Sequence, residues 1–180
     1  MTEKTHTTAV VLIPPQAVWG PVQAIRERHD RQFRRWMPHV TLLYPFRPRE
    51  QFDAVGRKLA GACGDQAPFE LELAEFRWFA HGGRRFTVWL APTPPGPLID
   101  LQAALQAAVP DCDDMRRFPG GFTPHLSVGQ VSAPGRLARV VQELQAGWRP
   151  IRFRAGGIAL IWRGTEPSAS FRVDRTIPLG

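Results

Sequence analysis

Two five-residue segments, Pro38-His39-Val40-Thr41-Leu42 and Pro124-His125-Leu126-Ser127-Val128, write one pattern twice: proline, histidine, apolar, hydroxyl, apolar. An internal copy of this kind constrains the fold more than any other feature of the chain, because two equivalent strands must find places in one molecule. Side chains alternate across a β-strand, so each histidine shares a face with the hydroxyl two positions on, and the apolar residues point to the other face. Proline is tolerated as the first residue of a strand and holds the residue before it extended. Each copy therefore predicts a strand that begins at its proline and shows an imidazole and a hydroxyl together.

The His-x-Ser/Thr core alone is uninformative, and His6-Thr7-Thr8 matches it as well. The five-position form is another matter: composition predicts it in roughly one chain of this length per hundred, and a pair far more rarely. A single copy is also explained by a buried histidine bonded to a neighbouring hydroxyl. Two copies facing each other would set two proton-transfer groups and two hydrogen-bond donors around one small anion. That arrangement suits phosphodiester chemistry without a metal.

The repeat extends outward. Pro48 and Pro134 each lie nine residues past their own histidine, and Pro92 and Pro178 each lie 53 past. Pro48 opens an amphipathic run from Arg49 to Ala62, and Pro134 one from Gly135 to Trp148, with Phe52, Val55, Leu59 and Leu137, Val140, Val141, Leu144 at helical spacing. Strand-like stretches follow at Phe69 to Phe79 and Ile151 to Trp162, then at Arg85 to Ala91 and Phe171 to Pro178. Ahead of the motifs, Thr8 to Ile13 and Val88 to Ala91 read as strands, and Val22 to Trp36 and Leu98 to Val109 as helices. The expectation is an α+β, bilobal, duplicated fold, with residues 1–180 forming a single domain of two pseudo-symmetric lobes. Each lobe is a small antiparallel sheet with helices on its outer face. The lobes join at the proline-rich Ala91 to Gly96, and an active-site cleft lies between them.

Composition bounds the functional classes. With 180 residues and 43% apolar content, the chain can bury a substantial core, and it holds no apolar run of membrane-spanning length. Met-Thr-Glu-Lys-Thr at the start lacks the apolar centre of a secretion signal, so a cytoplasmic protein, without membrane contact and monomeric, is expected. Cys63 and Cys112 are too few and too far apart for a disulfide framework or zinc knuckle and read as reduced thiols. The net charge of +7 is carried almost wholly by arginine, since only Lys4 and Lys58 are lysine. Arginine matches phosphate oxygens with a fork of donors, so nucleotides or RNA are plausible partners, although such a surface can also be simply solvated.

The segments Pro38-His39-Val40-Thr41-Leu42-Leu43-Tyr44-Pro45-Phe46 and Phe122-Thr123-Pro124-His125-Leu126-Ser127-Val128-Gly129 resemble the paired HxT/S motifs of the two-histidine (2H) phosphoesterase superfamily, and within it the 2′-5′ RNA ligase and cyclic phosphodiesterase branch. The resemblance implies a bilobal fold with a cleft, two catalytic histidines at His39 and His125, and two phosphate-binding hydroxyls at Thr41 and Ser127. It implies a metal-independent phosphodiesterase acting on 2′,3′-cyclic or 2′-5′ phosphodiester bonds of RNA ends or nucleotides, reversible as an RNA ligase, with no cofactor and no metal. Serine in the second copy keeps the hydroxyl donor that threonine usually supplies. Gly129 is expected to continue the cleft face without a side chain, leaving room for substrate, while Leu43 fills the matching place in the first copy.

A neutral imidazole can deprotonate water while an imidazolium protonates the departing ribose oxygen, and histidine's ordinary pKa lets both forms coexist near neutrality. Arg77-Trp78-Phe79 and Trp162-Arg163 are expected to line the cleft and hold a nucleotide by stacking and phosphate contact. Asp111-Cys112-Asp113-Asp114 reads as a solvated loop and His29 as a surface residue, and neither a P-loop nor a G-x-S-x-G elbow is present. The alternative is a non-catalytic RNA- or nucleotide-binding protein that keeps the fold. Paired proton-transfer groups favour the enzyme, because binding alone does not require them.

Overall fold

Both repeated segments fold as strands, each starting one residue after its histidine, in a computed structural model that describes residues 3–180. Along the chain run β1 (Thr8–Leu12), α1 (Trp19–His29), β2 (Val40–Leu43), α2 (Phe52–Gly64), β3 (Phe69–Ala80), β4 (Arg85–Thr93), α3 (Gly96–Ala108), β5 (Leu126–Ser132), α4 (Pro134–Gly147), β6 (Ile151–Ala155), β7 (Gly157–Trp162) and β8 (Arg172–Pro178). They form two four-stranded antiparallel sheets, β2-β1-β7-β8 and β5-β4-β3-β6, with the helices on their outer faces. The fold is the expected bilobal α+β arrangement.

The lobe boundary differs from the expectation. Ala91 to Thr93 are the end of β4, and α3 starts at Gly96, so the proline-rich segment is a turn inside one lobe. The chain changes lobe elsewhere, between α2 and β3 and again between β6 and β7. One sheet is therefore built from the middle of the chain, the other from its two ends. The second crossing splits Ile151 to Trp162, read from its pattern as one stretch, into strands of different sheets. The alternation of β6 gives way at Gly156 to the continuous apolar run of β7, and periodicity does not register a change of partner. Gly157 fits there because a Cβ would stand 2.7 Å from the Ile177 carbonyl oxygen of β8.

The duplication reaches down to matching irregularities. In one sheet Leu12 pairs with Val40, Val11 with Thr41, and Val10 with Leu43 after a register shift. In the other, Leu90 pairs with Leu126, Trp89 with Ser127, and Val88 with Gly129 after a shift at the corresponding place. A bulge re-aims the residues around it, and here one follows each hydroxyl.

Alternate residues of β1 and β7 serve different cores. Val10, Leu12, Ile158 and Leu160 join the main cluster, which spans both sheets and all four helices. Ala9, Val11, Ala159 and Ile161 face the other way and, with Phe171, Trp36, Met37 and Tyr44, form a small second cluster on the His39 side of the sheet. Among the described residues no helix is long and apolar enough to cross a membrane.

Candidate active site

Each histidine is anchored in the same way. Nδ1 of His39 lies 2.7 Å from the Met37 carbonyl oxygen, and Nδ1 of His125 lies 2.8 Å from that of Thr123. A carbonyl only accepts, so both rings carry their proton on Nδ1 and keep the Nε2 lone pair free. The acceptor is two residues back, across the buried Pro38 or Pro124, whose ring holds that residue extended. The proline of the motif thus helps to set the tautomer as well as the strand start.

The rings are also packed. Trp36 stacks on His39 at 4.7 Å and 17°, and in turn touches Phe171 at 3.8 Å and Tyr44 at 5.5 Å. Phe79 stands edge-on to His125 at 4.9 Å, with Trp89 at 5.9 Å. A cavity of about 660 Å³ is lined by Thr41 and His125 together with Tyr44, Phe79, His81 and Phe118, among others. His39 and Ser127 are not on its wall, although the charges of His39 and His125 act on each other. Thr41 and Ser127 are both half-buried and hold matching places next to a bulge.

Burial pushes the His39 pKa down to about 4, against the Met37 hydrogen bond, and the Arg26 and His125 charges add to the drop. Burial also lowers His125, opposed by the Thr123 carbonyl. Both imidazoles are therefore neutral near pH 7 in the free protein. The expected mixture of one neutral and one charged ring is thus not the state of the free protein at that pH.

A buried polar cluster ties the end of α1 to the segment before β2 and to β5. Arg26 is only 2% exposed, and its guanidinium donates to Asp30 Oδ2 at 2.9 Å, Gln23 Oε1 at 2.8 Å and the Trp36 carbonyl at 2.8 Å. Asp30 Oδ1 accepts from Gln130 of β5 at 3.0 Å, and Gln130 Oε1 accepts from the Arg31 N–H at 2.9 Å. The end of α1 is pressed so close to β5 that a Cβ on Gly129 would lie 2.5 Å from His29 Cβ and 2.8 Å from its carbonyl oxygen. Gly129 therefore does not open room for substrate, because the bulge pairs it with core-facing Val88 and α1 fills the space. His29, likewise, is half-buried against that strand rather than a surface residue. Only the i, i+4 spacing of Arg26 and Asp30 hints at the pair in the sequence.

Other expectations are corrected. Trp78 pairs with Val88 on the face away from His125 and is 50% exposed. Trp162 pairs with Thr8, off the His39 face, and lies under the Arg49 guanidinium at 3.8 Å. A one-residue step in a strand reverses the face, which is why Phe79 lines the cavity and its neighbour Trp78 does not. The acidic loop is tied down: Asp111 pairs with buried Arg47, Asp114 with Lys4, and Asp113 with Arg117. Cys63 and Cys112 are free and buried.

Residues 14–167 match the model of the 2′-5′ RNA ligase superfamily. A Geobacillus kaustophilus protein that carries a provisional phosphoesterase name is 23% identical over 141 residues, covering 76% of each chain. The fold is that of TT0787 from Thermus thermophilus, with a TM-score of 0.67 at 20% identity over 96% of this chain and 97% of that one. Escherichia coli LigT, solved in complex with 3′-AMP, matches with a TM-score of 0.62 at 15% identity over 98% and 99%. With both histidine motifs inside the matched region, the chain belongs to the 2′-5′ RNA ligase superfamily of two-histidine phosphoesterases.

Proposed function

We propose that the protein is a metal-independent phosphodiesterase that opens 2′,3′-cyclic phosphates, or cleaves 2′-5′ phosphodiester bonds, at RNA ends or in nucleotides. The observation that carries this reading is the matched pair of imidazoles, each with Nδ1 held by a carbonyl and Nε2 free, with His125 and Thr41 on the wall of one cavity. Nucleotide complexes of the similarly folded LigT agree with a substrate of this class.

His39 acts as general base. Burial holds its ring neutral, with a pKa of about 4, and the charge of its neighbour Arg26 disfavours a second positive charge. His125, on the cavity wall, acts as general acid once the anionic substrate has raised its proton affinity. His39 Nε2 takes a proton from water as the water oxygen bonds to phosphorus. One phosphorus–ribose oxygen bond breaks, and His125 Nε2 gives its proton to the departing oxygen. Thr41 and Ser127 donate to the non-bridging oxygens, where negative charge grows. With a 5′-hydroxyl in place of water, the same steps form a 2′-5′ bond when the 3′ oxygen leaves.

The test is incubation with nucleoside 2′,3′-cyclic phosphates in excess EDTA, followed by product analysis. One phosphomonoester isomer should accumulate, and simple aryl phosphomonoesters should survive. Binding without turnover would point to the non-catalytic alternative, and activity that needs an added divalent ion would overturn the metal-independent mechanism.

A further inference from the structure

Arg163 occupies, on one lobe, the place His81 holds on the other. The Arg163 N–H donates to the Thr7 carbonyl at 2.9 Å, extending the β7–β1 ladder, and the His81 N–H donates to the Arg85 carbonyl at 2.9 Å, extending β3–β4. Ala159 pairs with Val11, the partner of Thr41, and Arg77 pairs with Trp89, the partner of Ser127. Arg163 and His81 each lie four residues beyond those positions, and an even step keeps both side chains on the cleft face. His81 lines the cavity.

Arg163 is set against the aromatic group that supports His39. Its guanidinium carbon is 5.6 Å from the centre of the Phe171 ring, which packs on Trp36. Burial raises the pKa of the Tyr44 hydroxyl, and the charges that pull it back are those of Arg163 and Arg35, so both arginines stand near this cavity residue. Neither has an ion-pair partner among the described residues. Arg163 Nη1 donates to the Gly164 carbonyl and Arg35 Nη2 to that of Pro167, but Arg163 Nε is buried with no hydrogen-bond partner. A buried cationic donor left unpaired is unfavourable, and a phosphate oxygen is the acceptor whose geometry a guanidinium fork fits best.

We propose that Arg163, supported by Arg35, forms a second anion subsite that binds the phosphate on the 5′ oxygen of the nucleotide whose cyclic phosphate lies between the histidines. It rests on the cyclic phosphodiesterase reading of the cleft and narrows the substrate class. The preferred substrate is an RNA end or a 5′-phosphorylated nucleotide, not a bare nucleoside cyclic phosphate.

The test uses unreactive product analogues at fixed ionic strength, by calorimetric titration. The probes are a nucleoside 2′-monophosphate, its 2′,5′-bisphosphate, and a dinucleotide ending in the same 2′-phosphate. The bisphosphate or the dinucleotide should bind at least about tenfold more tightly than the monophosphate, as one charge-assisted guanidinium pair allows. Arg163→Gln should bring that ratio below about threefold, and Arg35→Gln should lower it by a smaller factor. Preference for the dinucleotide assigns the subsite to an RNA backbone phosphate, and preference for the bisphosphate assigns it to a terminal 5′-phosphate. Equal wild-type affinity for all three, or a ratio unmoved in both folded variants, would overturn the proposal. Turnover measured alongside separates the two readings: an intact ratio without cleavage refutes the catalytic reading and leaves the subsite standing.

Discussion

Gly129→Ala offers a direct test of how the two lobes are held. The added Cβ would sit 2.5 Å from His29 Cβ and 2.8 Å from the His29 carbonyl oxygen. Carbon atoms rest at roughly 3.5–4.0 Å, so α1 and β5 must part by about 1 Å. Neither contact is the end of a flexible side chain, so the backbone itself has to move. Overpacking of this kind costs about 1–3 kcal/mol, or a fall in Tm of roughly 2–12 °C for a chain of this size. The same movement strains the Gln130–Asp30 hydrogen bond between the lobes and shifts Ser127 and His125 relative to His39. Misplacement by about 1 Å lowers rates up to about a hundredfold, so kcat should fall about 10- to 100-fold with little change in KM. Gly61→Ala in α2 is the control: its Cβ meets nothing within 4 Å, and it should stabilise by about 0.5–1 kcal/mol without affecting kcat. Calorimetry and steady-state kinetics on the two variants suffice. A Gly129→Ala protein as stable and as active as wild type would refute the clamp.

Thr41→Ala and Ser127→Ala should each lower kcat about 10- to 1000-fold while the fold is retained, as expected for lost donors to transition-state charge; single-turnover rates check this. Arg26→Met should destabilise by about 3–5 kcal/mol because Asp30 is left buried and unpaired, and Arg26→Met with Asp30→Leu should recover much of that loss in chemical denaturation. His39 has its pKa lowered in the folded state to about 4 from 6.5, so the unfolded chain binds the extra proton between those values. The resulting stability, about 3 kcal/mol, is complete above pH 6.5 and lost as pH falls through 4. His39→Asn cannot titrate there, so its stability should fall less steeply over that window in denaturation measured against pH.

The helix read over Val22 to Trp36 spans Trp19–His29, but the motif pair is legible in the sequence because its chemistry and its strand period coincide, and α2 and α4 are legible from their amphipathic period. The lobe boundary is not, because the crossings occur where local pattern is silent. Gly156 interrupts one apolar alternation, and only the partners of β6 and β7 reveal that they belong to different sheets. Gly129 escapes a sequence reading because a bulge flips its face, and a bulge leaves no mark in a hydrophobic period. Arg26 reads as one of several arginines on a basic helix, although it is the hub of the buried cluster beneath Trp36. Trp78 and Phe79 show the same limit at a single step, since strand register decides which of two adjacent aromatics meets the cavity.

The most direct test of the two-histidine mechanism is the pH dependence of kcat/KM for a nucleoside 2′,3′-cyclic phosphate in EDTA, for wild type, His39→Ala and His125→Ala. This ratio reports the free enzyme, in which His39 must be neutral and His125 protonated. His39 takes up a proton only as pH falls to about 4, and burial lowers His125 below its ordinary 6.5, so a bell with its maximum on the acidic side of 6.5 is predicted. His39→Ala should lose the acidic limb and His125→Ala the alkaline limb, each with a large fall in rate. A maximum on the alkaline side, or an unchanged bell in either variant, would contradict the assignment of proton transfer to these two imidazoles.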